Sequence, residues 1–316
     1  MRRETLILLA GLALAGAGRG ADLPAAASCA PRAKGWSVAA LNGAPGLYRD
    51  GKPVAPVLFW QWKIEEQDAK AMSRSAGVDL FGVFGSYPHY ANPYWKPEGF
   101  AGMAYQDENL DQILKWVPSA AFLPRLFYSA PDWWIAAHPE EQIVYSNPIP
   151  ADAEARRSGT LVPRESFASE RFRRECRPVY RQAVRHLMDR YGDRLLGIHL
   201  ASGPWGEHFA WDALTQGGLI PLDEAGFGDV SGPMTRRFRA WLRAKYGNDP
   251  ARLRAAWRDG SVTFETAQVP PRDVRLALDT DGVWRDPAKG RRVADYFECQ
   301  NGTTVEMLDH FAGIVK

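Results

Sequence analysis

Cysteine is scarce in this sequence, and its spacing does not fit a metal site. The chain of 316 residues contains three cysteines, and no pair of them has the C-x-x-C spacing of a zinc site. Cys29 lies near the amino terminus, whereas Cys176 and Cys299 lie on predicted helices. The pattern excludes a zinc site and a disulfide framework. We expect Cys176 and Cys299 to be small buried side chains, and a disulfide between them is the alternative.

The common catalytic signatures are absent as well. The sequence has no Gly-x-Ser-x-Gly nucleophile elbow, Walker loop, dinucleotide-binding Gly-x-Gly-x-x-Gly or His-Glu-x-x-His motif. Its acidic and basic residues nearly balance, with a formal net charge of +2, and no arginine-rich run is interleaved with aromatic residues. A nucleic-acid partner is therefore not expected, and neither is a cofactor.

Long apolar runs are missing except near the amino terminus. There, Arg2-Arg3 precede an apolar stretch from Leu6 to Ala17, which ends in small residues and is too short to span a membrane. The pattern predicts an export signal over residues 1–21. Cleavage after Ala17 and a lipobox-like site before Cys29 are alternatives. The mature protein is expected to be periplasmic or extracellular, without further membrane contact.

The sequence does contain alternating apolar runs and amphipathic segments. Parallel strands are predicted at residues 54–62, 78–85, 122–128 and 195–201. Helices are predicted at residues 65–76, 109–117, 170–191, 233–246, 249–257 and 291–316. The alternation predicts an α/β fold, a (β/α)8 barrel of TIM type, preceded by a β-hairpin at residues 36–53 that could plug it.

Four strand-helix units are visible, whereas a parallel barrel needs eight. We therefore expect the amino-terminal half of a longer enzyme, with a signal peptide (1–21), a linker and hairpin (22–53) and a partial barrel (54–316). A complete, open four-stranded sheet is the alternative, but its edges would be long and apolar. Half a barrel produced alone is expected to be inactive, and to aggregate or form a homo-oligomer.

The stretch after the fourth predicted strand carries the candidate catalytic group. The apolar run breaks at Ser202-Gly203-Pro204 and leads to Glu207, which has aromatic residues and a histidine around it: Trp205, His208, Phe209 and Trp211. Barrel enzymes collect their catalytic groups at the carboxyl ends of the strands, and aromatic faces suit the apolar faces of sugars. Glu207 is therefore the candidate acid of a sugar site. A loop glutamate that caps the next helix is the alternative.

Other side chains at or just after the strand ends are candidates for substrate binding: Trp60, Trp62, Arg125, Trp133, Trp205, His208 and Trp211. For the tryptophans, core packing is the alternative to contact with a sugar ring. Arg125 lies in an apolar strand and needs an anionic partner. The barrel interior would provide one, and a structural ion pair is the alternative. For His199, a buried structural histidine is the favoured interpretation.

Short motifs follow one another in a characteristic order. They are Pro131-Asp132-Trp133-Trp134 with His138-Pro139-Glu140, the strand that ends at Glu207, Phe238-Arg239-Ala240-Trp241-Leu242 with Lys245-Tyr246-Gly247, and Leu253 to Trp257 with Pro270 beyond it. In this order they resemble glycoside hydrolase family 42, the β-galactosidases of the clan A (β/α)8 barrels. The resemblance covers the chain from about Val54 to Lys316.

The resemblance implies retaining hydrolysis of a β-glycoside by two carboxyl groups about 5 Å apart. Glu207 would be the general acid/base, and the nucleophile would come from a seventh strand, for which this chain offers no residue. The chain departs from the family pattern at Gly206, where clan A enzymes carry an Asn that helps hold the sugar 2-hydroxyl. It also lacks the cysteine cluster that holds structural zinc in some members.

The predicted function is thus that of an exported, β-galactosidase-like glycoside hydrolase that takes a carbohydrate substrate. The alternative is a non-catalytic carbohydrate-binding or scaffold protein built on an incomplete barrel. The unassigned nucleophile and Gly206 motivate that alternative.

Overall fold

The computed structural model describes residues 30–61, 63–84, 92–145, 164–203, 206, 208, 211–212, 214–215, 218–219, 226–277 and 286–316. The predicted signal peptide, residues 1–21, lies outside them. The strands are β1 (Trp36–Leu41), β2 (Ala44–Arg49), β3 (Lys52–Val54), β4 (Phe59–Trp60), β5 (Leu80–Phe84), β6 (Trp95–Lys96), β7 (Gly99–Phe100), β8 (Ala121–Phe127), β9 (His199–Ala201), β10 (Trp211–Asp212), β11 (Leu214–Thr215), β12 (Gly218–Leu219) and β13 (Gly226–Phe227).

The α-helices are α1 (Glu66–Ala76), α2 (Ala104–Trp116), α3 (Asp132–Ala137), α4 (Glu170–Tyr191), α5 (Gly232–Lys245), α6 (Pro250–Trp257), α7 (Arg272–Leu276) and α8 (Arg291–Val315). Several of them begin at a residue whose side chain accepts a hydrogen bond from a free backbone N–H of the first turn. Ser169 accepts from the N–H of Phe172 at the start of α4, and Ser231 accepts from Met234 at the start of α5. Such caps fix where each helix starts.

Four parallel strands form a sheet in the order β4-β5-β8-β9. The register pairs Trp60 with Gly82 and Arg125 with His199. Because parallel neighbours need a crossover connection, α1 lies between β4 and β5, α2 between β5 and β8, and α4 between β8 and β9. The predicted order of strands and helices is thus confirmed. The four strands do not close into a barrel within the described part of the chain.

The first predicted strand is shorter than expected. Among the described residues of the predicted strand at 54–62, the parallel pairing covers only Phe59 and Trp60, whereas Val54 pairs with Leu47 in the antiparallel sheet. Pro56, between these two pairings, has no backbone N–H to donate to a neighbouring strand, so the apolar run is longer than the strand that it forms in the parallel sheet. The fourth predicted strand is also shorter than expected: β9 begins at His199, and before it only an isolated bridge joins Leu195 to Phe122.

The helices cover one face of this sheet. Phe81, Phe122 and Leu126 are fully buried in a core that they share with side chains of α1, α2, α4 and α8. Since side chains alternate between the two faces of a strand, Trp60, Arg125 and His199 lie on the other face. The sheet therefore has a packing face and a second face that carries a cation and aromatic rings.

A small antiparallel sheet, β1-β2-β3, lies at the amino ends of the parallel strands. Trp36 and Leu47 from this sheet pack with Leu80, Ala121 and Leu196, which stand at or just before the starts of β5, β8 and β9. The predicted hairpin is therefore a three-stranded sheet that covers the amino end. The carboxyl ends of the strands face the opposite direction.

A second core joins α5, α6 and α8. Its centre includes Phe238, Leu253, Tyr296 and Cys299, all fully buried. Cys176 belongs to the first core instead. Both cysteines are free and buried, as the sequence predicted.

Candidate active site at the carboxyl ends of the strands

Arg125 occupies the centre of the second face of the sheet. Its guanidinium carbon lies 5.6 Å from the ring centroid of Trp60 and 5.4 Å from that of Phe127. The His199 ring lies 5.5 Å from Trp60. The Trp60 indole can lie against β5 because Gly82 has no side chain there: a methyl group at Gly82 would come within 2.1 Å of Cε3 of Trp60. Arg125 is buried, with 8% of its surface exposed, among aromatic rings that favour a cation.

A tight turn follows β9. The N–H of Gly206 donates to the carbonyl of Gly203 over 3.0 Å, and the N–H of His208 donates to the carbonyl of Ser202 over 2.9 Å. Gly203 and Gly206 both have positive φ, +73° and +77°, a region that glycine enters at no steric cost. His208 has a φ of +59°. These hydrogen bonds and backbone angles define the conformation at positions 203, 206 and 208.

Two guanidinium groups pack against this turn. A methyl group at Gly206 would lie 2.5 Å from Nη2 of Arg125, and one at Gly203 would lie 3.0 Å from Nη1 of Arg164. Arg164 is buried and donates through Nε and Nη2 to the hydroxyl of Tyr145, at 3.3 and 3.2 Å. The two glycines thus allow Arg164 to approach the backbone at position 203 and Arg125 to approach it at position 206.

A buried chain of hydrogen bonds connects the start of this turn to the carboxyl group of Glu165. The N–H of Gly203 donates to Oγ of Ser129 over 3.2 Å, and the hydroxyls of Ser129 and Ser202 are 3.1 Å apart. Ser202 donates to Oε1 of Glu165 over 2.9 Å, and the N–H of Ala130 donates to Oε2 over 3.0 Å. Because the Ser202 hydrogen goes to the carboxylate, Ser129 donates to Ser202. The polar groups thus form one directed chain from the turn to Glu165.

Burial controls the charge of the titratable groups here. It raises the pKa of Glu165, against the lowering effects of the hydrogen bonds and of Arg164. Burial, together with the charge of Arg125, lowers the pKa of His199 to about 4. Burial also lowers the pKa of His208 to about 3, and His199, Arg125 and Arg164 act in the same direction. Both histidines are therefore neutral at pH 7.

The structure gathers some of the residues predicted for the site. Trp60 and Arg125 are in contact, and His208 lies within the field of Arg125. The predicted acid Glu207 lies outside the described residues, as do Trp62 and Trp205, and the side chain of Trp211 is outside them as well. Their roles stay predictions.

Trp133 has different neighbours. Its indole N–H donates to the carbonyl of Trp95 over 3.0 Å, and the two rings meet edge to face at 5.5 Å. The ring packs against the first core, on the side of the sheet that the helices cover. His199, for which the sequence favoured a structural role, is half-buried beside Trp60 and pairs with Arg125 in the register of the sheet.

Sequence reasoning missed Arg164 and Glu165. They lie near the end of the long loop between β8 and α4, with no apolar periodicity around them to mark them. The available signal was an Arg-Glu pair shortly before the Ser169 cap of α4. Ser129 and Ser202 were also detectable, since each closely follows the end of a strand.

These features define a class of protein: an α/β protein with a parallel sheet, helices on one face and a polar site at the carboxyl ends of its strands. Within the described ranges, no helix is long and apolar enough to cross a membrane. No group of three or more metal-binding side chains was found in those ranges either.

Of three comparisons with known proteins, only the one with solved structures finds similar proteins. No protein-family model matches the sequence, and no curated protein matches it. Among solved structures, β-galactosidase from the psychrophilic Marinomonas ef1 is 16% identical, with a TM-score of 0.51 over 82% of this chain. β-Galactosidase from Bacillus circulans sp. alkalophilus is 14% identical, with a TM-score of 0.53 over 82% of this chain.

The matches also include a catalytic mutant of Gan42B, a GH42 β-galactosidase from G. stearothermophilus, at 18% identity and a TM-score of 0.43, covering 77% of this chain and 32% of that one. The chain spans about a third of the first two β-galactosidases, 34% of each. The first two matches show that this chain has a glycosidase-like α/β fold over most of its length. The observed α/β fold thus agrees with the fold that the sequence motifs predict.

Proposed function

We propose that the protein is a retaining glycoside hydrolase of the β-galactosidase type, whose parallel sheet is part of a (β/α)8 barrel. One observation carries the proposal: Arg125 of β8 and its register partner His199 of β9 lie beside the turn that follows the carboxyl end of β9. Barrel enzymes hold their active sites at this end of the strands. The fold of the two β-galactosidases supports the same assignment.

In the proposed mechanism, Glu207 donates a proton to the leaving oxygen and later removes one from the attacking water. A second carboxylate attacks the anomeric carbon. No described residue is assigned to that role. The neutral imidazole of His208 is adjacent in sequence and can donate or accept a hydrogen bond to the substrate, because its pKa is far below 7. Trp60 would offer an apolar face to a sugar ring.

The test is the Glu207→Gln variant of the full-length gene product, assayed on aryl β-galactosides. We expect turnover to fall by roughly 10² to 10⁴ when the leaving group is poor and protonation is required. The loss should be much smaller for aryl groups that leave without protonation. Glu98→Gln is the matched control, because Glu98 is exposed in the turn between β6 and β7, and its activity should equal that of the wild type.

If the Glu207→Gln variant were as active as the wild type on both kinds of substrate, the assignment of Glu207 as the acid would be overturned. Sugar binding without hydrolysis by the wild type would favour the alternative function, a carbohydrate-binding protein that has lost the chemistry. For the hydrolase, NMR detection of the first-formed anomer should show retained configuration.

We also propose that the protein is exported through the signal over residues 1–21. The support is the Arg2-Arg3 pair ahead of the apolar stretch from Leu6 to Ala17. Amino-terminal sequencing of the protein purified from a secreting host should give a chain that starts after Ala17 or Ala21. An intact amino terminus in the cytosol would contradict this proposal.

A further inference from the structure

A groove with a volume of about 280 Å³ lies between helix α2 and the segment that joins β4 to α1. One face of α2 lines the groove with Tyr105, Asn109, Gln112 and Trp116. Residues at this spacing lie on the same side of a helix, one above the other. The volume is close to the lower limit of the roughly 300–1,000 Å³ that small-molecule sites have, so the groove suits a small ligand.

The groove and the candidate active site lie on opposite faces of the parallel sheet. Val83 of β5 lines the groove and belongs to the helix-packed core. Trp60 lies on the second face of the sheet, beside Arg125, whereas the next residue, Gln61, lines the groove. The groove is therefore a separate site, although it begins at the same end of β4.

The floor of the groove is apolar. Val83 and Ile113 are buried there, and Ile64 packs against the same core. The row on α2 begins and ends with an aromatic residue, because Tyr105 is 43% exposed and Trp116 is partly buried. A ligand with an apolar face would gain by covering this surface.

Amide side chains provide hydrogen-bonding groups above that floor. Gln61, Asn109 and Gln112 all line the groove. An amide offers both donors and an acceptor, and so does a hydroxyl group. Nδ2 of Asn109 donates to the carbonyl of Tyr105 over 2.9 Å, which leaves Oδ1 as the acceptor for a ligand. The wall of the groove thus matches a ligand with several hydroxyl groups.

The charges of the groove nearly cancel. Nζ of Lys63 lies 2.8 Å from Oε1 of Glu65, so these two charges neutralise each other. Of the described residues that line the groove, Glu108 is the one other charged side chain, and it is exposed to water. A solvated carboxylate attracts a cation weakly, and it repels an anion. The groove therefore favours a neutral ligand.

From these features we infer that the groove binds a neutral saccharide of one or two rings, as a second carbohydrate site apart from the candidate active site. A sugar ring combines an apolar C–H face with hydroxyl groups that donate and accept hydrogen bonds. The floor complements the first of these properties, and the amides complement the second. The inference goes beyond the proposed function, because binding in the groove requires no hydrolysis.

Carbodiimide labelling of carboxyl groups tests the inference on the full-length gene product. The probes are methyl β-D-thiogalactoside and methyl β-D-thioglucoside, whose sulfur linkage resists hydrolysis, and peptide mass spectrometry measures the labelling. A bound saccharide should shield Glu108, so the labelling rate of Glu108 should fall with probe concentration and reach a plateau. Glu98 is the matched control, because it is exposed in the turn between β6 and β7, and its rate should stay constant.

Variants of the α2 face measure the contribution of single side chains. Tyr105→Ala and Gln112→Ala should each raise the probe concentration for half-maximal shielding by about three- to ten-fold, the loss expected for one aromatic face or one neutral hydrogen bond. Phe297→Ala in α8 and Gln182→Ala in α4 are the matched controls. Both residues are exposed and lie outside the groove, so their replacement should leave that concentration unchanged.

A Glu108 labelling rate that is the same with and without either saccharide would overturn the inference. This comparison uses the wild type alone and is therefore independent of any effect on folding. Equal shielding of Glu108 and Glu98, or equal half-maximal concentrations in Tyr105→Ala and Phe297→Ala, would also overturn it. The proposed function fails on a different result: a wild type that hydrolyses no β-galactoside while its Glu108 is shielded would reject that function and keep the groove as a saccharide site.

Discussion

The ring of Phe311 in α8 stacks on the ring of Tyr128, which directly follows β8; the centroids are 4.0 Å apart and the planes differ by 14°. Tyr180 of α4 meets Phe311 edge to face at 5.1 Å. All three side chains are fully buried. The carboxyl half of α8 is thus part of the core that supports the carboxyl end of β8, although more than a hundred residues separate the two in sequence.

We predict that Phe311→Ala lowers the free energy of unfolding by about 3–5 kcal/mol, because it leaves a cavity between Tyr128 and Tyr180. Phe297→Ala is the control on the same helix. Phe297 is 39% exposed, so its replacement should cost less than about 1 kcal/mol. Urea unfolding of both variants gives the comparison, and equal losses would show that α8 is not anchored through Phe311.

Asp295 is a buried anion at the centre of the second core. Its carboxylate accepts hydrogen bonds from Tyr246, Trp257 and Arg291, and Lys245 lies 3.0 Å away. Asp295→Asn removes the buried carboxylate that these donors share and leaves only the exposed Glu298 as an anion beside Lys245 and Arg291. We expect a loss of about 3–5 kcal/mol in the free energy of unfolding.

Glu298→Gln is the control for Asp295→Asn. Glu298 pairs with the same Lys245 and Arg291 but is 52% exposed, so its replacement should cost less than about 1 kcal/mol. A loss for Glu298→Gln as large as that for Asp295→Asn would contradict the central role of the buried carboxylate.

The buried Glu165 should make stability depend on pH. Because its pKa is raised in the folded state above the ordinary 4.5, the folded protein binds this proton more tightly than the unfolded chain does. The contribution of Glu165 to stability is full below pH 4.5 and falls as the pH rises through the folded-state pKa.

Glu165→Gln removes this titration, and its amide can still pair with Ser202 and Ala130. The wild type should therefore lose stability relative to the variant as the pH increases from 4 upward, measured by urea unfolding across pH 4 to 8. A difference between the two proteins that stays constant across this range would contradict the raised pKa.

Gly206→Ala tests the close approach of Arg125. The positive φ costs an alanine about 1–2 kcal/mol, and the contact with the guanidinium group adds to it. Gly102→Ala isolates the backbone contribution, because Gly102 has a φ of +84° and a methyl group there would have nothing within 4 Å. Gly206→Ala should therefore be the more destabilised variant in urea unfolding. Equal losses would show that Arg125 moves aside freely.

Much of the fold follows from local patterns in the sequence. The helix predicted at residues 170–191 is observed as α4 with the same bounds, because a long amphipathic repeat begins at a serine cap. The βα order is also correct, since buried parallel strands form apolar runs that alternate with amphipathic helices. Strand lengths were less predictable. The apolar run at residues 54–62 continues through Pro56, which has no backbone N–H for a ladder, and only Phe59 and Trp60 join the parallel sheet.

The site was harder to predict for a physical reason. Trp60, Arg125 and His199 come from three different strands, and only the register of the sheet brings them together. Arg164 and Glu165 follow a long loop, and their proximity to Ser129 and Ser202 depends on tertiary contacts. Residue type and sequence spacing can mark such residues as candidates, but they do not show which of them are in contact.

Because the helices pack against only one face of the sheet, the two faces tolerate substitutions in evolution differently. Along β8, Phe122 and Leu126 pack against helices, whereas Arg125 and Phe127 point away from that core. Neighbouring positions in the strand are thus under different packing constraints. Substitutions at Arg125 or Phe127 could therefore alter the second face of the sheet while Phe122 and Leu126 preserve the helix-packed core, so this face can change in evolution without rebuilding that core.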